Sequence, residues 1–249
     1  MDKLLTIKEA AAFLNVSQMS LRRWTNSGSL KCYRVGGKNE RRFEMQELQN
    51  FLSRDNSRLP LGINDLTVKK SDHITHFYKK IEECLNEGIS YLAKGLSLGD
   101  HLLVISTYTR LPKILEGLER FGFQISKLLG NGTIVTSTGV PDIANQLQFM
   151  NKAIESIQAP KSFRLLGDMV WALEQGWSLN DINILENHTN QFFIRNNALL
   201  LCQYDLTRFG ADAAMMALET HNITVHRGQL KESPYFIGAP NHNVGNTYV

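Results

Sequence analysis

His73 and His76 stand three positions apart, and two imidazoles at i and i+3 of a helix face the same way. Such a pair can hold one metal ion if Cys84 or His101 supplies a further ligand. H-x-x-H without a third ligand in register is a sparse set, however, and an imidazole packed at a helix start satisfies the same pattern; no metal site is assigned. Two carboxylates, Asp168 and Asp205, each end a short apolar run, as do the hydroxyls of Ser106, Thr107, Thr136 and Ser137. If the strands align, these carboxylates and hydroxyls face one crevice, and each aspartate equally suits the cap of a helix or loop. Three cysteines, Cys32, Cys84 and Cys202, form no C-x-x-C pair. Their odd number argues against a disulfide framework and for reduced, mostly buried thiols, with a redox or metal sensor as the alternative.

Catalytic arrangements do not assemble. After the first apolar strand of the larger part, Ser106-Thr107-Tyr108-Thr109-Arg110-Leu111-Pro112 stands where a P-loop reads G-x-x-x-x-G-K-[ST]. Without the glycines and lysine, neither backbone amides nor an ammonium cradle a triphosphate. No G-x-S-x-G elbow presents a nucleophile. The chain is therefore read as a non-enzyme with no catalytic residues and no cofactor.

The elements that carry these residues fall into two parts. In the first, Thr6-Ile7-Lys8-Glu9 fits a capping box, and Ala10, Ala11, Phe13 and Leu14 continue one apolar stripe. Asn15-Val16 breaks it. Ser17 caps a second helix over Gln18 to Asn26, ended by Ser27-Gly28. Leu21 and Trp24 face the first helix, and 100° winding puts Met19, Arg22, Arg23 and Asn26 on the opposite, solvent face. Two short helices with a tight turn and a cationic outer face make a helix-turn-helix. Two strands follow around Gly36-Gly37, carrying Arg34, Lys38, Arg41 and Arg42, and a closing helix runs from Glu44 to Leu52. Cations on such a hairpin grip phosphates beside a groove-bound helix.

The run LTIKEAAAFLNVSQMSLRRWTNSGSLKCYRVGGKNERRF resembles the winged helix-turn-helix of MerR-type and excisionase-type DNA-binding domains. The matching features are the IKEAA–LNVS helix and turn, the SLRRW recognition helix and the GG–RRF wing. The resemblance implies contacts to double-stranded DNA from Arg22, Arg23 and the wing arginines Arg34, Arg41 and Arg42; Ser17, Gln18, Met19, Asn26 and Lys38, on the same helix and hairpin, complete the expected DNA-binding set.

In the larger part, His73 to Ala93 reads as a helix, with Phe77, Ile81, Leu85, Ile89 and Leu92 on one side. Apolar strands then alternate with helices: strands at 101–107, 132–137, 162–167, 198–204 and 223–226, helices at 112–121, 141–157, 169–175, 179–196 and 211–221. Continuous apolar strands separated by helices indicate an α/β fold with a mainly parallel sheet covered on both faces. Ligands in such sheets sit at the carboxyl ends of the strands. Thr107, Tyr108, Asp168, Trp171, Tyr204 and Asp205 are therefore expected to line one crevice there.

HITHFYKKIEECLNEGISYLAKGLSLGDHLLVIST, FRLLGDMVWAL and LLLCQYDLTRFGADAAMMALETHNITVHRGQLKESPYF resemble the MEDS sensory domain of methanogen and methylotroph regulators, over about residues 72–238. That resemblance implies a RecA/KaiC-like fold without its P-loop and the sensing of small hydrocarbon derivatives. His73, Tyr78, Arg164, Gly167, Asp168, Trp171, Tyr204, Asp205, His221 and Tyr235 match its motifs, and His73 and Tyr78 join the expected ligand-binding set.

Composition fits this division. The 249 residues are 43% apolar and 20% charged, without a signal-peptide core or a stretch long enough to span a membrane. A cytoplasmic protein is expected. The net charge of +3 hides a basic head: residues 1–58 hold 11 Lys/Arg against 6 Asp/Glu, and the remainder 16 against 18. The domains read as a head at 1–53, a polar linker at 54–69, a sensory domain at 70–238 and a tail at 239–249. The function expected is a transcription regulator, a homodimer on an inverted repeat, whose body binds a small-molecule effector. The competing reading keeps the body ligand-free, as a platform for a protein partner.

Overall fold

The computed structural model describes residues 4–26, 28, 30–54, 58–70, 72–155, 162–195 and 198–237, without the side chains of 50, 52–54 and 191–195. The chain divides into two compact units between Arg58 and Leu59. The expected tail at 239–249, the end of the second helix at Ser27 and residues 156–157 of the 141–157 helix lie outside the described residues.

The first unit runs β1 (Leu5–Thr6), α1 (Ile7–Leu14), α2 (Gln18–Asn26), β2 (Tyr33–Val35), β3 (Glu40–Phe43) and α3 (Met45–Arg54). The capping box closes as the sequence predicts: the Glu9 N–H donates to Thr6 Oγ1 at 3.2 Å and the Thr6 N–H to Glu9 Oε2 at 2.7 Å. Asn15 ends α1 in the left-handed region at φ 53°, a conformation asparagine tolerates, and this turns the chain into α2. Ala10, Leu14, Leu21, Leu30, Phe43 and Leu48 form the small core. Trp24 packs against this core, and its ring lies tilted on Phe51 of α3 with centroids 4.9 Å apart. The sheet order is β1-β3-β2; β1 is two residues long, too short to show a period in the sequence.

A small two-stranded sheet, β4 (Arg58–Pro60) and β5 (Thr67–Lys69), begins at the boundary and lies in the second unit from Leu59 onward. The second unit then follows the order β6 (His73–Tyr78), α4 (Ile81–Ser97), β7 (His101–Ile105), α5 (Leu111–Arg120), α6 (Ile125–Gly130), β8 (Ile134–Ser137), α7 (Ile143–Glu155), β9 (Phe163–Asp168), α8 (Val170–Glu174), α9 (Leu179–Arg195), β10 (Ala198–Asp205), α10 (Ala211–Thr220), β11 (Ile223–His226) and β12 (Gln229–Glu232). Among the described residues, seven strands form one sheet in the order β12-β11-β6-β10-β9-β7-β8, parallel except for the antiparallel edge strand β12. Helices α4–α6 and the β4–β5 segment cover one face; α7–α10 cover the other.

Two expectations change. The helix read over His73 to Ala93 is a strand followed by a helix, broken at Lys79-Lys80. All six residues of β6 are buried, because both faces of the sheet are covered, so neither a period of two nor one of 3.6 marks them. The polar stretch read as a linker over 54–69 belongs to the second unit from Leu59 onward: Leu61, Ile63 and Val68 are fully buried in its core.

Candidate functional site

In the head, Ser17 Oγ accepts the Ser20 N–H at 3.1 Å and starts α2, while Leu21 is wholly buried. That anchoring turns the opposite face outward. Ser17, Gln18, Met19, Arg22, Arg23 and Asn26 are all exposed, Met19 to 68%. Arg34 and Lys38 are exposed on the hairpin, whose turn contains Asn39 at φ 50°. Arg41 and Arg42 are placed differently. Arg41 donates to Thr25 Oγ1 at 2.9 Å and to Asn26 Oδ1 at 2.6 Å, tying β3 to the end of α2. Arg42 pairs with Glu40 at 2.7 Å.

In the body, strand alternation decides which side chains meet. Tyr78, Ser106, Asp168 and Asp205 lie at the carboxyl ends of the strands, on the α4–α6 face, and converge on Arg110. The Arg110 guanidinium donates to Asp168 Oδ1 at 2.9 Å, reaches Asp205 Oδ2 at 3.3 Å and binds the Tyr78 hydroxyl. Ser106 Oγ donates to Asp168 Oδ2 at 2.9 Å. Burial is the largest influence on Asp168 and lifts its carboxyl above the ordinary range, and the Arg110 guanidinium pulls it back. Asp205 also caps its own loop, accepting from the N–H and hydroxyl of Thr207. Thr107 is buried, and its Oγ1 accepts the Arg110 N–H at 3.2 Å.

The rest of the expected ligand set lies elsewhere. Tyr108 is 81% exposed. Trp171 is buried on the α7–α10 face against Trp177, and its ring fills the space that a Cβ on Gly139 would need. Tyr204 points to that same face and donates to Glu186 Oε1 at 2.6 Å. His73 lies at the start of β6, beside Glu186, Cys202 and His221. His76 faces the opposite way, toward Glu83 and Glu87. The two histidines therefore do not share a metal: three positions apart on a strand they point to opposite faces, and neither Cys84 nor His101 joins them in one cluster.

The polar crevice at the strand ends is filled from within by Arg110. The sequence marks this residue only indirectly, as a cation in the loop where a P-loop is missing. Glu186 also escaped the sequence reading. Its signal is position: Ile182, Leu185, Glu186, Thr189 and Asn190 form the buried stripe of α9, and a carboxylate in such a stripe needs buried partners. Burial works against the Glu186 charge, yet His221, His73 and the Tyr204 hydroxyl hold its carboxyl down at about 2. Burial, and then the neighbouring His73, push the His221 imidazole down to about 3.

Beside Glu186 and Cys202 lies a small, mostly apolar cavity of about 20 Å³, walled by Ile105, Met150, Leu165, Met169, Trp171 and Leu185. Its volume admits about one water. The buried Trp171 Nε1 makes no hydrogen bond. A larger open groove of about 310 Å³ is lined by Leu173, Leu179, Ile182, Arg208, Phe209 and Ala213.

A helix-turn-helix with an exposed cationic helix, on a chain whose second unit is a P-loop-free α/β sandwich, defines a transcription regulator with a sensory domain. The model of the methanogen/methylotroph, DcmR sensory domain, MEDS, matches residues 72–222, and that of a helix-turn-helix domain matches residues 4–56. The chain belongs to the MEDS family. It is 30% identical over 242 residues to the transcriptional repressor DcmR of Methylorubrum extorquens, covering 90% of this chain and 91% of the relative. Among the described residues no helix is long and apolar enough to cross a membrane.

Proposed function

We propose that this regulator is a cytoplasmic, homodimeric repressor that binds an inverted repeat and changes its operator affinity when a small, largely apolar effector enters the body. The repressor assignment is carried over from the relative. On the head, α2 offers Gln18, Met19, Arg22, Arg23 and Asn26 to the bases and phosphates of a major groove, while Arg34 and Lys38 reach phosphates from the wing. Arg41 positions the wing rather than gripping DNA, because Thr25 and Asn26 hold its guanidinium.

One observation carries the effector reading: the small, mostly apolar cavity that has Trp171, Glu186 and Cys202 in its walls. It replaces the strand-end crevice as the binding site, since Arg110 fills that crevice. A ligand larger than a water must open the cavity, and an effector acts by favouring one of two conformations. The test is selection of genomic fragments by the purified protein at near-physiological salt, followed by titration of the enriched operator with short alcohols, amines and halogenated methanes. Enrichment of an inverted repeat and an effector-dependent affinity are expected. No enrichment sinks the operator reading, and an affinity indifferent to every saturating probe sinks the effector reading.

The filled crevice and the open apolar groove favour a second reading, in which the body is a ligand-free platform for a protein partner. It shares the operator result and differs in predicting no response to any small molecule.

A further inference from the structure

His73 on β6, Cys202 on β10, Glu186 on α9 and His221 after α10 are scattered across 149 positions of sequence, and each is buried. Each contributes one ligand atom to a group whose members all lie within 4.8 Å of one another. His73 Nε2 is 3.2 Å from Glu186 Oε2 and 3.3 Å from Cys202 Sγ. Glu186 Oε2 is 3.6 Å from His221 Nε2 and 3.7 Å from Cys202 Sγ. A tetrahedral metal with bonds of about 2.0–2.3 Å has ligand–ligand edges of about 3.3–3.8 Å. We propose that these four side chains form a tetrahedral site for a divalent transition metal, zinc foremost, with the two Nε2 atoms, Oε2 and Sγ as ligands.

The groups around the cluster orient it for that purpose. His221 Nδ1 lies 2.8 Å from the Ala217 carbonyl and donates to it, so Nε2 carries the lone pair. That Nε2 is fully buried and has no hydrogen-bond partner. Asn190 donates its Nδ2 to the Thr220 carbonyl at 2.6 Å, which leaves its Oδ1 to accept from His73 Nδ1 at 3.0 Å. The His73 Nε2 lone pair is thereby also turned inward. Tyr204 occupies Glu186 Oε1 and leaves Oε2 facing the cluster. Each nitrogen and carboxylate ligand is thus held by a second group through its far atom, the arrangement that tunes metal ligands in proteins. Two imidazoles, a thiol and a carboxylate suit zinc, cobalt(II) or iron(II) and not the oxygen-seeking magnesium or calcium. On loading, the Cys202 thiol and the His73 Nε2 that faces Glu186 each lose a proton to solvent; thiolate and carboxylate then balance the dication, so a neutral site sits in the core.

The inference stands independently of the effector reading. If both hold, the metal lies against the wall of the same cavity, since Glu186 and Cys202 belong to both.

The experiment measures metal content of the full-length protein as purified and after stripping and reloading with cobalt(II). About one equivalent per chain is expected, with the visible bands of tetrahedral cobalt and a near-ultraviolet thiolate charge-transfer band. Cys202→Ser and Glu186→Gln should lose the metal and the charge-transfer band while keeping the far-ultraviolet dichroism of a folded chain. Tyr204→Phe and Asn190→Ala, which touch no metal, should retain the site with affinity weaker by about 10–100-fold. Cys84→Ser should change nothing. A protein that takes up neither zinc nor cobalt overturns the proposal in favour of a bare His73–Glu186 ion pair. Metal retained by Cys202→Ser but lost in His76→Ala also overturns it, by placing the ion at His76, Glu83 and Glu87.

Discussion

Arg110 donates to Asp168 across 2.9 Å inside the body, at the carboxyl ends of the strands, where open α/β sheets usually hold their ligands. The same guanidinium reaches Asp205 and the Tyr78 hydroxyl, so one cation holds together three strands through residues distant in sequence. Removing it strands two carboxylates with little water to solvate them. Arg110→Ala should destabilise the body by about 3–5 kcal/mol, the usual cost of breaking a buried ion pair from one side. Urea unfolding followed by Trp171 and Trp177 fluorescence, with Trp24 replaced by Phe to silence the head, measures this. A loss below about 1 kcal/mol would mean that water reaches the network.

The arginines of the head should separate by behaviour. Arg22→Ala and Arg23→Ala on the exposed face of α2 should each lower the salt dependence of operator binding by about one counterion. Arg41→Ala removes two hydrogen bonds inside the head, so it should lower head stability by about 1–3 kcal/mol. Thermal unfolding read at Trp24, together with operator titration at several salt concentrations, distinguishes the two behaviours. Unchanged salt slopes for both Arg22 and Arg23 would remove α2 from the interface.

Arg164 should behave as a staple for the segment before the main sheet. Its wholly buried guanidinium pairs with Asp100 at 2.8 Å and donates to the carbonyls of Pro60, Leu61 and Tyr91. Lysine offers a point charge and cannot reproduce this planar fork. Arg164→Lys should therefore speed amide hydrogen exchange around Leu61 and Val68 more than in the β10 strand. Equal protection in both places would show that the apolar contacts of Leu61, Ile63 and Val68 hold the segment by themselves.

Thiol chemistry should follow burial. Burial pushes the Cys84 and Cys202 thiols up, out of the reactive range, while Cys32 is half-buried. An alkylating reagent should label Cys32 first in the native protein and reach the other two on unfolding, as peptide mass spectrometry would show. Native labelling of Cys202 ahead of Cys32 would mean that the body opens readily on the α7–α10 face.

The head was legible because its signals are local. A capping box, Asn15 at a turn, and apolar residues at helical spacing each act within a few residues, and the unit they build is small. The alternation of strands and helices in the body was legible for the same reason. His73 to Tyr78 misled because a strand buried on both faces has no polar face to reveal its period. The expected crevice gathered residues by their place at strand ends without knowing their parity. The structure sends Asp168 and Asp205 to one face and Tyr204 to the other, with Trp171 following β9 onto that second face.

By itself the sequence determined the two-part architecture, the cationic recognition helix and the absence of a phosphate-binding loop, all properties of short contiguous segments. Only the tertiary structure decided that Arg110 fills the strand-end crevice, and that His73, Glu186, Cys202 and His221 meet in the core. The reason is physical: strand register and helix packing bring together side chains far apart along the chain, and no local pattern records which face each one will occupy.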